Sequence, residues 1–199
     1  MGYRCVFGIL LLFTAAGCET IDQRIDPDAP DPVGGANLRS QDIKAMADEM
    51  ARDINQYGVL NSTDPDHRTT FYISSLRNDS ADPIDKEIIL TKLRTNLFQA
   101  FQGRVAILDR SQQGLEAIKA ERDAKRDGAV TANPSKQGNV KGSDYVLKGT
   151  IKDRTLQSRN LKTAYYLVTF ELTDLETGEL VWTNDYEAKF ATEKSVIAR

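Results

Sequence analysis

Residues 145–189 constrain the fold more than any other stretch, because their side chains change character with a period of two. That period belongs to a strand, whose successive side chains point to opposite faces. The stretch divides into three such strands, 145–152, 163–174 and 180–189. On the first, Tyr145, Leu147 and Ile151 share a face against Lys148, Thr150 and Lys152. On the second, Ala164, Tyr166, Val168, Phe170 and Leu172 share one. On the third, Leu180, Trp182, Tyr186 and Ala188 oppose Thr183, Asp185, Glu187 and Lys189. Three strands with one apolar face each predict an antiparallel meander, dry on one side and wet on the other. Leu175-Glu-Thr-Gly178 between the last two fits a tight hairpin, with Gly178 free to take positive φ.

The N-terminus reads as an address. Arg4 gives a short positive region, residues 5–13 are apolar, and Thr14-Ala-Ala-Gly17 is small. About 20 apolar residues are needed to cross a bilayer, so this segment is too short to span one. The small run ending in Gly17-Cys18 resembles the lipobox of bacterial lipoproteins, although Ala15 stands where leucine is usual. The resemblance implies a signal peptide over 1–17 and, at Cys18, an S-diacylglycerol and an N-acyl group. Two or more acyl chains anchor stably where one does not. It also implies the outer membrane, because Glu19 and not aspartate follows the cysteine. Cys5 and Cys18 are the two cysteines, so no thiol remains for a disulfide or a metal.

Residues 18–39 carry Pro27, Pro30, Pro32 and Gly34-Gly35 among acids, the composition of an extended tether. Its reach is at most ~65–70 Å. Five acids lie in this region (Glu19, Asp22, Asp26, Asp28, Asp31). Setting them aside from 29, and Arg4 and Arg24 from 26 bases, leaves 24 of each sign in the rest of the chain. A neutral domain argues against nucleic-acid binding, which needs a basic surface.

Residues 40–199 form one domain. A helix is expected over 40–56, with Ser40 as N-cap and Ile43, Met46, Ala47, Met50 and Ile54 on a core-facing stripe. Residues 70–77 read as a strand. A second helix to Phe101 is expected to start from Asp82 as N-cap and Pro83 as first helical residue, burying Ile84, Ile88, Ile89, Leu93, Leu97 and Phe101. Residues 104–109, apolar on both faces, read as an interior strand. A charged helix over 111–126 offers Leu115 and Ile118 as anchors and pairs Glu121 with Lys125. Residues 127–143 read as a long surface loop.

The chain holds no phosphate cradle, nucleophile elbow or zinc-protease motif. Asp64 and Asp66 precede the single histidine, His67, too sparse a set for a metal site. No enzyme, cofactor or metal is expected. One charged feature stands out: Lys148, Lys152, Arg154, Arg159 and Lys162, with Asp153 alone against them, read as the turn joining the first two meander strands. They are a candidate partner surface for an acidic protein, for peptidoglycan or for lipid headgroups; a solvated hairpin is the plainer reading.

Several segments in order resemble the LpoB family of lipoprotein activators of penicillin-binding proteins. They are 40–50 (SQDIKAMADEM), 75–79 (SLRND) leading into 84–94 (IDKEIILTKLR), 142–149 (GSDYVLKG) and 165–182 (YYLVTFELTDLETGELVW). The resemblance covers most of 40–190. It implies an α/β domain with an α+β tendency, like the N-terminal domain of TolB, with a mixed sheet ending in the meander. It implies an outer-membrane lipoprotein facing the periplasm that docks onto a bifunctional penicillin-binding protein and activates its peptidoglycan synthesis without catalysis of its own. Activation would be allosteric, requiring different affinities for the synthase's two states. The alternative is an assembly lipoprotein of an envelope or secretion complex, similar to TolB or CsgG. The tether is shorter than in the members best known for activation, so the synthase would have to approach the outer membrane.

Overall fold

A computed structural model describes residues 23–62, 66–130 and 140–193. The signal segment, Cys18, Asp64, residues 131–139 of the expected long loop and the tail after Glu193 lie outside the described residues. The elements are α1 (Ser40–Tyr57), β1 (Thr70–Asn78), α2 (Lys86–Phe101), β2 (Ala106–Ile107), α3 (Gln112–Arg126), β3 (Tyr145–Gln157), β4 (Leu161–Asp174) and β5 (Leu180–Glu193). The strands form one sheet in the order β2-β1-β3-β4-β5. β1 runs parallel to β2 and β3, and β3, β4 and β5 are antiparallel. The result is a mixed sheet with the expected meander as its C-terminal half.

The meander's faces follow the sequence except at Leu180, which lies beyond a register shift at the hairpin end and is exposed instead of buried. Leu147, Ile151, Ala164, Tyr166, Val168, Phe170, Leu172, Trp182 and Ala188 are all buried. The strands run further than the hydrophobic alternation: β3 continues to Gln157, and its register with β4 is unbroken from Tyr145↔Asp174 to Gln157↔Lys162. Residues 154–157 are exposed, so alternation fades while the backbone ladder goes on. The β4–β5 turn is closed by the Asp174 carboxylate, which accepts from the backbone N–H of Glu176 (2.8 Å) and Thr177 (2.9 Å). These bonds hold its pKa below the ordinary aspartate range. Gly178 takes φ 77°, as the turn requires.

α1 and α2 pack together and against the dry face. Met46, Ala47, Met50, Ala51 and Ile54 of α1 are buried in one cluster with Ile89, Leu90, Leu93, Leu97 and Phe101 of α2. The core-facing reading of the α1 stripe is therefore correct. Arg39, not Ser40, occupies the N-cap position, with its backbone N–H donating to Asp42 (2.8 Å). Gly58 at φ 77° ends the helix.

Three further expectations need correction. α2 starts later than Asp82: Asp85 is the N-cap and accepts from the Glu87 N–H at 3.0 Å. Pro83 lies outside the helix, and Asp82 instead receives the Tyr166 hydroxyl. Ile84 therefore sets no helical phase, and Ile88 is 55% exposed while Leu90 is buried. β2 is an edge strand of two residues, not an interior strand of six. Its apolar character comes from Val105, which packs into the core just before the strand begins. α3 has no buried residue, and Leu115 is exposed. Ser111 caps it through Gly114 N–H (3.0 Å), and the Glu121–Lys125 pair forms at 3.0 Å.

A second cluster closes the far end of the sheet. Ala36, Ala164 and Tyr166 are buried there, with Leu38, Ile84 and Phe190 packed around them. The Tyr166 hydroxyl lies 3.1 Å from the Ala36 carbonyl and against the Asp82 carboxylate, sharing one proton between two acceptors. Further upstream, Asp31 accepts from Ser40 N–H (2.9 Å) and Oγ (2.7 Å), and Asp28 pairs with Lys44. Negative side chains at the start of α1 are favoured by the helix dipole.

Candidate functional site

The five basic residues do not form a turn. Because β3 and β4 are longer than the alternation suggests, Lys148, Lys152 and Arg154 lie along β3, on the face turned away from α1 and α2. Only Arg159 sits in the tip between the strands, and Lys162 belongs to β4. Lys148 is paired with Glu171 opposite it, 3.7 Å away. Arg159 and Lys162 line a cavity of about 320 Å³ with Ala36, Asn37 and Leu161. The structure thus splits the group into a paired residue, two strand cations and a hairpin-tip notch beside residues 36–37.

The open face of the meander is divided by charge. Lys152 and Arg154 of β3 stand opposite Leu167 and Tyr165 of β4. Across β4 the next strand presents Asp185 and Glu187, opposite Thr169 and Leu167. Burial first, then the hydrogen bond to Glu187 and the nearby Asp185, push the Tyr165 hydroxyl above its ordinary pKa. The face is basic along β3 and acidic along β5.

That acidity continues around the β5 edge onto α1. Asp42, Glu49 and Asp53 recur at intervals of seven and four, which puts them on one side of a helix. Tyr186 of β5 donates to Asp42 (3.2 Å), and Trp182 Nε1 donates to Asp53 (2.7 Å). Burial first, then Asp42, which also accepts its hydrogen bond, and Glu49 push the Tyr186 hydroxyl above its ordinary pKa. Asp53, Tyr57, Leu180 and Trp182 contribute to a cleft of about 460 Å³ between the end of α1 and the start of β5. Tyr57 and Leu180 are exposed there. Sequence reasoning missed this surface, although the 42/49/53 spacing was a readable signal. What it lacked was the partner strand.

Among the described residues no three His, Cys, Asp or Glu side chains converge to hold a metal. His67 meets Asp144 at 3.1 Å, and Asp144 also accepts from Thr70 N–H (2.7 Å) and Oγ1 (3.0 Å). Burial would raise the Asp144 pKa, but these donors outweigh it and the net shift is downward. The cluster ties the start of β1 to the start of β3, a structural task.

A family model described as peptidoglycan-synthase activator LpoB matches residues 42–188, from the first turn of α1 to the middle of β5. The chain belongs to the LpoB family. This is a family of regulatory activators, not of catalysts. Solved structures with a similar arrangement include the LpoB C-terminal domain from Salmonella enterica, 13% identical, with TM-score 0.42 over 74% of this chain and 98% of that one. The LpoB C-terminal domain from Escherichia coli is 15% identical, with TM-score 0.42 over the same shares. Lipoprotein GNA1162 from Neisseria meningitidis is 18% identical, with TM-score 0.39 over 64% of this chain and 86% of that one. No curated protein matches. No helix among the described residues is long and apolar enough to cross a membrane.

Proposed function

We propose that this LpoB-family chain is an outer-membrane lipoprotein, acylated at Cys18, that binds a bifunctional penicillin-binding protein from the periplasmic side and activates its peptidoglycan synthesis. The observation that carries this reading is the family match from Asp42 to Ala188, which runs from within α1 to within β5 and so reaches every element found among the described residues. The Gly17-Cys18 sequence supports the anchor. The domain sits close to its membrane. Asp28 already engages Lys44, so it stands ten residue steps from Cys18. Ten extended residues reach only ~35 Å. The synthase therefore has to approach the outer membrane to meet the domain.

Activation requires no catalytic residue here. It requires tighter binding to the active state of the synthase than to the inactive one; a tenfold bias corresponds to about 1.4 kcal/mol. The test is glycan polymerisation and cross-linking by each purified bifunctional synthase of the same cell, with and without this protein. Stimulation together with measurable binding is expected. No binding and no stimulation with any of them would sink the proposal, and recovery in a stable envelope assembly lacking a synthase would favour an assembly role. Cys18→Ser is expected to release the protein from membranes; continued attachment would refute the anchor.

A further inference from the structure

β5 ends the sheet. It pairs with β4 along its length on one side, and among the described residues no strand lies beyond it in the sheet order. A terminal strand of fourteen residues carries a row of backbone donors and acceptors ready for another strand. Proteins commonly blunt such edges with lysine, proline or a bulge. This edge has no proline, Lys189 as its single base, and one register shift confined to its hairpin end, between Leu172 and Thr173 of the partner strand.

The surroundings of that edge specify what could pair with it. On the helix side stand Asp42, Glu49 and Asp53 of α1, the first and last held toward β5 by Tyr186 and Trp182. On the open side stand Asp185 and Glu187, followed by Lys189 and by Glu193 at the end of the strand, so three acids face one base. A strand laid along β5 would project alternate side chains toward these two acidic rows. Both rows then call for cations. An apolar side chain near one end would meet Tyr57 and Leu180 in the cleft beside Trp182. A second copy of β5 matches less well, because it would bring three acids, Asp185, Glu187 and Glu193, and the single base Lys189 to an edge that is already acidic.

We propose that an extended, lysine- or arginine-rich segment of the peptidoglycan synthase docks as a sixth strand along β5, its backbone pairing with the free edge and its cations lying between the α1 acids and Asp185/Glu187. This rests on the proposed function above and assigns its contact surface. The acidic edge takes precedence over the basic β3 face because it offers a longer run of unpaired backbone as well as charge. β3 is paired on both sides up to Ile151, by β1 and β4, which leaves only 152–157 open on its β1 side, and Lys148 is already paired. Strand addition supplies affinity through main-chain hydrogen bonds, while alternate side chains supply specificity.

The full-length acylated protein in detergent, mixed with the purified bifunctional synthases of its own cell, tests this. Glu49→Lys and Asp185→Lys reverse charge on either side of the edge at exposed positions. Each is expected to weaken binding several-fold, and together at least about tenfold, with Lys92→Glu on α2 binding as wild type. Amide exchange on the complex is expected to slow at alternating residues of 183–193, the pattern of a paired edge. A complex that forms without alternating protection in β5 overturns strand addition. Unchanged affinity in the double variant overturns the charge assignment, and loss of binding in Lys152→Glu/Arg154→Glu with the double variant unaffected moves the surface to β3. No binding by the wild-type chain to any synthase refutes the preceding function itself and removes the partner named here.

Discussion

Gly149→Ala should destabilise the protein although it adds a single methyl group. Gly149 lies in β3, paired with Leu76 of β1 on one side and Phe170 of β4 on the other. Both neighbours lean into the space above the glycine. A Cβ there would stand 2.8 Å from Leu76 Cδ1, 2.8 Å from Phe170 Cδ1 and 2.9 Å from Phe170 Cε1. Carbon atoms in good contact are about 3.5–4.0 Å apart, so each neighbour must retreat by roughly 0.7 Å or more. Neither can swing into solvent, because Leu76 is 2% and Phe170 1% exposed. Overpacking of this kind costs about 1–3 kcal/mol. Removing glycine from the unfolded chain returns about 0.4–1 kcal/mol. The expected net loss is about 1–2 kcal/mol, read as a urea midpoint lowered by roughly 0.5–1 M at an unchanged slope. Phe170→Leu in the same background should recover part of it, giving a coupling of at least about 0.5 kcal/mol in a double-mutant cycle. A Gly149→Ala midpoint equal to or above wild type would refute the claim that β1 and β4 side chains meet over this residue.

Asp85→Ala removes the acceptor for Glu87 N–H and should cost about 1 kcal/mol by thermal melting, whereas Asp82→Ala should leave the start of α2 intact and disturb Tyr166 instead. Asp144 contributes stability above its unfolded pKa that is lost as pH falls through its depressed folded pKa. Asp144→Asn should therefore lose about 1 kcal/mol at neutral pH, a figure reduced for the carboxylate's partial exposure, and show a shallower decline in acid denaturation. Trp182 is the single tryptophan, so its fluorescence reports the α1–β5 contact. Asp53→Ala should shift its emission and cost about 1–3 kcal/mol by stranding the half-buried Nε1 donor; an unchanged spectrum would count against that contact.

The meander was legible because its signal is local. Alternation over 163–174 names the buried face of β4 residue by residue, and turn chemistry at Asp174–Gly178 closes the hairpin without help from elsewhere. The α1 stripe was legible for the same reason. Where local signals competed, the tertiary structure chose. Asp82-Pro83 and Asp85 both make good helix starts, and Asp85 won as the Tyr166 hydroxyl engaged Asp82. Residues 104–109 looked interior because apolar content does not distinguish a strand flanked on both sides from an edge with Val105 anchored beneath it.

The sequence by itself determined the fold class and the family resemblance, since the segments that carry them are contiguous. Only the tertiary structure decided which surfaces carry charge together. Lys148 to Lys162 are close in sequence, yet strand geometry spreads them along a ladder and pairs one with Glu171. Asp42, Glu49 and Asp53 lie more than a hundred residues from Asp185 and Glu187, yet the packing of α1 on β5 brings them to one edge. Periodicity places a side chain on a face. Which face meets which is set by long-range packing, through side-chain bonds such as Trp182 to Asp53 that no local pattern encodes.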